Sequence, residues 1–234
     1  MREGIKSVLK RFFSTNPGIR IMRFLIRQFN RIENLYLGWR HGWEITKEIS
    51  TIGAETELLV TNNEAFQIYS AAKSATKLPG DFAEVGTYKG GSAKLICIAK
   101  GAKNLYLFDT FEGLPKKGEF DKYLEEGQFK SSYQTVEKYL ASYDNVFIVK
   151  GFFPETGQTV KHKKFSFVHI DVDFYQSTLD TLIFFYPLMV SGGIILSHDY
   201  ATLPGVKKAF DEFFQSRPEV VIPLDSSQCL VVKN

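Results

Sequence analysis

The stretch Phe82-Ala83-Glu84-Val85-Gly86-Thr87-Tyr88-Lys89-Gly90-Gly91-Ser92 decides how the rest of the chain is read. Three apolar residues and one acid, Glu84, make a short strand that runs into a glycine-bearing turn. A helical pattern, Ala93 to Ala99, follows at once. Strand, tight turn and helix in that order open a βαβ unit. The pattern then repeats. Asn104 to Phe108, Val146 to Val149, Phe165 to Ile170 and Gly193 to Leu196 read as further strands, mostly followed by a loop and a helix. Pro223 and Asp225-Ser226-Ser227 separate two last strands, Val220 to Ile222 and Cys229 to Val232, which predicts a closing antiparallel hairpin. The expectation is an α/β fold with a doubly wound, mostly parallel sheet.

Composition agrees. The 234 residues are 44% hydrophobic and 24% charged, which suits a globular chain with a sizeable core and excludes disorder, collagen and coiled coil as the main architecture. Cys97 and Cys229 each lie in an apolar run without a second Cys or a His at ligand spacing, so neither a disulfide scaffold nor a zinc ribbon is expected. Reduced thiols and the lack of a secretion signal favour a cytoplasmic location. The weakly charged stretch Thr181 to Ser197 is divided by Pro187 and Gly192-Gly193 into a helix end, a turn and a strand, so it reads as core.

Charge is uneven. Residues 1 to 48 hold ten Lys/Arg against four Asp/Glu, whereas the remainder is net acidic. Arg20, Arg23, Arg27 and Arg31 recur at helical steps beside an apolar set of Ile19, Met22, Leu25, Ile26 and Phe29. This predicts a basic amphipathic helix within an N-terminal extension, residues 1–56, ahead of a main domain at 57–234. Such a helix docks on its own domain or a second subunit, or meets an anionic membrane surface or glycan. A homo-oligomer is expected. Nucleic acid is not, because no basic-aromatic reader motif is present.

Ligands of a doubly wound sheet sit off the carboxyl ends of the strands. The first turn is not the dinucleotide fingerprint, since Tyr88 stands where a second glycine would let the backbone approach a pyrophosphate; this argues against NAD. Glu84 suits a ligand ammonium group, and the N–H groups opening the next helix suit a carboxylate, as an amino-acid-bearing cofactor such as S-adenosylmethionine requires. Asp109, 25 residues after Glu84, ends the second strand and suits ribose hydroxyls, with a turn cap as its other reading. The long charged connection from Thr110 to Lys130 reads as a lid over a substrate, with Phe111, Phe120 and Tyr123 as its aromatics.

The fourth and fifth strands end in His169-Ile170-Asp171-Val172-Asp173 and Ser197-His198-Asp199. Asp171, His198 and Asp199 at neighbouring strand ends could hold a divalent cation, magnesium by the carboxylates or manganese by the histidine. The competing readings make Asp173, with Ser177 or Thr178, a cap of the next helix, and His198 a buried imidazole.

The strings FAEVGTYKGGSA, LFDTFEGLP, HIDVDFYQST, YPLMVSGGIILSHDY and GVKKAFDEF together resemble the macrocin O-methyltransferase family, from roughly Glu57 to Phe214. The resemblance implies a class I S-adenosylmethionine-dependent methyltransferase fold, a Rossmann-like sheet of seven strands with the last antiparallel, and methylation of a sugar hydroxyl on a natural product; the basic N-terminal helix adds a cell-surface glycan as an expected acceptor. It assigns Glu84, Gly86 and Ser92 to the methionine and loop contacts, Asp109 to the ribose and Gly151 to the adenine side. Thr87, Tyr88, Gly91, Thr110, Phe111 and Asp171 complete the candidate cofactor-binding set. Asp171 and Asp199 match metal-binding carboxylates, but His198 stands where the family usually has Asp. Asp171 is the expected general base, and His198 takes that role if no metal is bound. The rival readings are a phenolic or catechol acceptor and a non-catalytic scaffold that has kept the cofactor fold.

Overall fold

A computed structural model describes residues 32–234, so the basic helix expected around residues 19–29 lies outside the described residues. Helix α1 (residues 32–41) is followed by α2 (Trp43–Glu55) and α3 (Asn62–Ala75). The α/β part then runs β1 (Asp81–Val85), α4 (Gly91–Ala99), β2 (Leu105–Asp109), α5 (Tyr133–Leu140), β3 (Val146–Lys150), β4 (Phe165–Ile170), α6 (Tyr175–Phe185), β5 (Met189–Ser197), α7 (Pro204–Phe214), β6 (Ile222–Pro223) and β7 (Cys229–Val232). The seven strands order as β3-β2-β1-β4-β5-β7-β6. The first five are parallel, and β7 pairs antiparallel with both β5 and β6, as expected of the closing hairpin.

The strands are apolar almost throughout because both faces of the sheet are covered. Phe82, Leu107, Phe167 and Leu196 face a cluster that includes Ile45, Ile49 and Ile52 of α2 and Ile68 of α3. Their neighbours Ala83, Phe108, Val168 and Ile195 face the other side, against Leu182 and Phe185 of α6 and Phe210 of α7. Helix α2, inside the stretch read as an extension, thus contributes three isoleucines to the core. Helix α3 starts with a capping box, in which Thr61 and Glu64 each satisfy the other's backbone N–H.

Two boundaries differ from the sequence reading, and at one of them Pro223, read as the break after a strand Val220 to Ile222, pairs within β6 instead. Gly192-Gly193 is not a turn ahead of β5 but lies within it, with Gly192 at φ +78° and backbone bonds from Gly192 N–H to Lys233 and from Lys233 N–H to Gly193. The pairing of β4 with β5 shifts register between Phe165 and Phe167, so the glycines accommodate an irregularity that lengthens the strand.

Strand order reverses between β1 and β4, and Gly86 marks that point. It has φ +87°, its N–H donates to the Phe108 carbonyl, and an added Cβ would lie 1.8 Å from the carbonyl oxygen of Asp171. Only glycine permits this approach of the β1 turn to the end of β4. Among the described residues no helix is long and apolar enough to cross a membrane.

Candidate active site

A cavity of about 430 Å³ opens off the carboxyl ends of β1 to β5, within the size range of small-molecule sites. Gly86, Thr87, Tyr88, Gly91 and Ser92 contribute to its wall from the first turn, Asp109 and Thr110 from the second, and Gly151 from the third. Asp171, His198 and Asp199 contribute from the fourth and fifth.

Asp109 organises the cavity. Its Oδ2 accepts from the N–H groups of Thr87 and Tyr88 at 2.8 Å each, and its Oδ1 from Phe111 N–H at 2.6 Å. Burial raises its pKa, against the lowering effect of these three bonds. One carboxylate therefore ties the β1 turn to the β2 turn, with some remaining lone-pair capacity for a ligand hydroxyl.

Two residues from the candidate set lie elsewhere. Glu84 is fully buried and off the cavity wall, with Oε1 2.9 Å from His169 Nδ1. Burial raises its pKa, opposed by the His169 partner. Its side chain points to the face covered by α2 and α3, as that of Phe82 does, because strand residues two apart share a face. Phe111, at φ +59°, is buried against Tyr133 and brings only its backbone N–H to the turn.

The lid aromatics are likewise redistributed. Phe120 stacks edge-on against Tyr175, Tyr123 is exposed, and Leu124 and Phe129 are on the cavity wall instead. The lid is pinned down. Leu114 and Gly127–Gln128 exchange backbone bonds, Ser131 Oγ donates to the Tyr88 carbonyl, and Asp121 Oδ1 accepts from Tyr175 N–H at 2.9 Å. Asp121 thereby satisfies an orphan donor at the start of α6, the helix that follows the Asp171–Asp173 turn.

The polar end of the cavity is a cluster of charge. Ligand atoms of Asp171, His198 and Asp199 all lie within 4.8 Å of one another. His198 Nδ1 is 3.0 Å from Asp199 Oδ2 and 3.3 Å from Asp171 Oδ1. Burial disfavours the imidazolium, but the Asp171 charge and the bonds to both carboxylates outweigh it and hold His198 well above the ordinary histidine range. In turn, burial works against ionisation of Asp171, and His198 still keeps it below its usual value. Asp173, half-buried beside Asp171 and Asp199, is pushed well above its ordinary value by desolvation and by the charge of both neighbours. Asp173 and Asp199 both adopt left-handed backbone, φ +62° and +60°, a conformation that short polar side chains tolerate and that concentrates at functional sites.

Behind His198 stand residues absent from the candidate set. Glu64 Oε2 is 3.6 Å from His198 Nε2, an ion-pair distance beyond hydrogen-bond reach. Its Oε1 accepts from the N–H and hydroxyl of Ser227. The side chain is kept charged, because His198, Ser227 and the Thr61 backbone outweigh the effect of burial. Gln228 is fully buried without a hydrogen-bond partner at either side-chain atom, one residue beyond the Ser197–Cys229 pair and so opposite His198 in register. The loop between α2 and α3 adds Glu57, Leu58 and Val60 to the wall, and Glu57 accepts from Tyr88 Oη and Lys89 Nζ. The capping signature Thr61-x-x-Glu64 was visible in the chain; its proximity to His198 was not.

A five-strand parallel core with an antiparallel β7, and a glycine-cradled cavity at the reversal of strand order, define a protein of the class I methyltransferase fold. The chain belongs to the macrocin-O-methyltransferase (TylF) family, whose model matches residues 64–229. It is 29% identical over 154 residues to demethyldecarbamoylnovobiocin O-methyltransferase of Streptomyces niveus, covering 58% of each chain. To mycinamicin III 3''-O-methyltransferase of Micromonospora griseorubida it is 27% identical over 175 residues, covering 65% of this chain and 66% of the relative. This chain thus spans less than two thirds of the length of these relatives. Among solved structures, the O-methyltransferase NovP superposes with a TM-score of 0.63 at 25% identity, over 73% of this chain and 79% of that one.

Proposed function

We propose that this protein transfers the methyl group of S-adenosylmethionine to a hydroxyl of a sugar ring, on a natural product or a glycan. The observation that carries the reading is the convergence of Asp171, His198 and Asp199 on the wall of the cavity that Gly86 and Asp109 shape. Two relatives are named for O-methylation of novobiocin- and mycinamicin-type molecules, which supports the acceptor class.

In this reading Gly86, Thr87, Gly91 and Ser92 receive the methionine end of the cofactor, Asp109 the ribose and Gly151 the adenine side. The acceptor oxygen attacks the methyl carbon in line with the departing sulfur of S-adenosylhomocysteine. An alcohol is a poor nucleophile, but its proton becomes acidic as the new C–O bond forms, so a well-placed carboxylate suffices to take it. Asp171 is that acceptor. His198, whose pKa the two neighbouring carboxylates raise, is poorly suited to act as a base near neutral pH; in this reading it balances the charge of Asp171 and Asp199 and fixes their orientation.

The donor set of two carboxylates and one imidazole also fits a divalent cation of manganese type better than magnesium. Asp171, His198 and Asp199 would hold it, and it would supply Lewis-acid stabilisation of a developing alkoxide. An ion on His198 Nδ1 would displace the proton that the neighbouring carboxylates favour there, so binding would release a proton.

Calorimetric titration with S-adenosylhomocysteine, repeated with chelator and with added manganese or magnesium, tests the cofactor and the metal. Micromolar binding is expected. Asp171→Asn is expected to abolish methyl transfer while changing that affinity by only a few-fold. No binding under any condition would overturn the reading, and retained activity in Asp171→Asn would remove Asp171 from its role.

A further inference from the structure

Helix α1 is two-sided in an unusual way. Its inner side is anchored: Leu37 is buried, Asn34 donates to Ser50, Glu33 accepts from Asn62 N–H, and His41 stacks on Phe66. Its outer side, which ought to be polar, carries Ile32, Leu35, Tyr36 and Trp39, each more than half exposed and Trp39 at 77%. Trp43, which opens α2 and packs on Gly38, is also mostly exposed. Large apolar side chains gathered on one surface mark an interaction face.

The occupant of this face is indicated by charge and by residue type. Of the ten basic side chains of residues 1 to 48, eight lie in residues 1–31, directly ahead of α1 in the sequence and against one acidic residue, so two copies brought together along that leading segment would repel. An anionic surface would attract them instead. In the sequence, Met22, Leu25, Phe29, Ile32, Tyr36 and Trp39 follow one another at alternating three- and four-residue steps, while Arg20, Arg23, Arg27 and Arg31 fall off that stripe. Tryptophan and tyrosine are the side chains that settle at the headgroup level of a bilayer, and basic residues next to an apolar stretch in the sequence strengthen its attachment to anionic lipid.

We propose that the outer face of α1 seats in the headgroup layer of an anionic lipid bilayer, so that the protein works at a membrane surface without spanning it. The proposal rests on the exposed face and the charge, not on the reaction assigned above.

The chain contains two tryptophans, Trp39 and Trp43, and both are on this face, so its own fluorescence reports the contact. The full chain would be mixed with vesicles of phosphatidylcholine alone or with phosphatidylglycerol. A blue shift, quenching by brominated lipid and co-sedimentation are expected with the anionic vesicles, each weakened by high salt. Trp39→Glu is expected to lower vesicle partitioning about tenfold or more, from the loss of one buried aromatic side chain, with S-adenosylhomocysteine affinity unchanged as the folding control. Brominated-lipid quenching of the unmodified chain gives the same answer without any variant. Absence of shift and sedimentation would overturn the proposal, and equal binding to neutral vesicles would overturn its anionic part. A dimer split by Ile32→Glu, in a chain that ignores vesicles, would assign the face to a second copy instead.

Discussion

Gly86→Ala tests the junction on which the cavity depends. The new Cβ would lie 1.8 Å from the Asp171 carbonyl oxygen and 2.7 Å from its carbonyl carbon, both backbone atoms at the end of a central strand that cannot swing aside. Holding alanine in left-handed backbone at φ +87° costs roughly 1–2 kcal/mol. Forcing apart a packed contact adds roughly 1–3 kcal/mol. The sum, about 2–5 kcal/mol, corresponds to a fall in Tm of roughly 4–20 °C for a chain of this size. Gly101→Ala is the internal control, because Gly101 has φ +58° with nothing within 4 Å of an added Cβ, so only the conformational cost of about 1–2 kcal/mol applies. Thermal unfolding followed by circular dichroism, with calorimetric titration of S-adenosylhomocysteine on each variant, separates the two effects. Gly86→Ala should lose ligand binding and the larger part of the stability; Gly101→Ala should keep binding. Equal Tm losses, or intact ligand affinity in Gly86→Ala, would refute the argument that the β1 turn needs this approach.

Glu64→Gln should destabilise by about 1–3 kcal/mol at pH 7, because the cap at Thr61 and the Ser227 bonds lose a charged acceptor. Glu64 is held below its ordinary value of 4.5, so its contribution is full above that pH and lost as pH falls below it; urea unfolding should show the gap to the wild type narrowing in acid. Asp121→Ala should free the lid at a cost of about 1 kcal/mol, as for other caps, and speed tryptic cleavage at Lys116, Lys117 and Lys122; an unchanged digestion rate would exclude the latch. Burial pushes the Cys97 thiol up to about 12, and Cys229 is raised for the same reason, so neither should react with a maleimide at pH 8 until the chain unfolds.

Much of the site was legible because a strand ends where its apolar run ends, and chemistry in a parallel sheet gathers at that end. Asp109, Asp171, His198 and Asp199 could be named on that ground alone, and the structure brings all four to one cavity. Glu84 could not be placed the same way. The strand period that buries Phe82 also buries Glu84, and whether an acid at that position reaches a ligand or a histidine depends on what β4 sets opposite, here His169, 85 residues away. Phe111 reads as a lid residue until α5 supplies Tyr133 beside it.

The chain's own pattern of apolar runs, glycines and strand-end acids determined the layer order, the parallel core and the side of the sheet where a ligand sits, since these follow from local periodicity and short connections. Only the tertiary structure decided which polar groups share a charge. Glu64 and His198 are 134 positions apart, and Ser227 is further still, yet one carboxylate touches both because α3 and the β7 end pack against the same edge of the sheet. Contacts of that kind depend on the sum of many packing choices, and no spacing within a single segment encodes them.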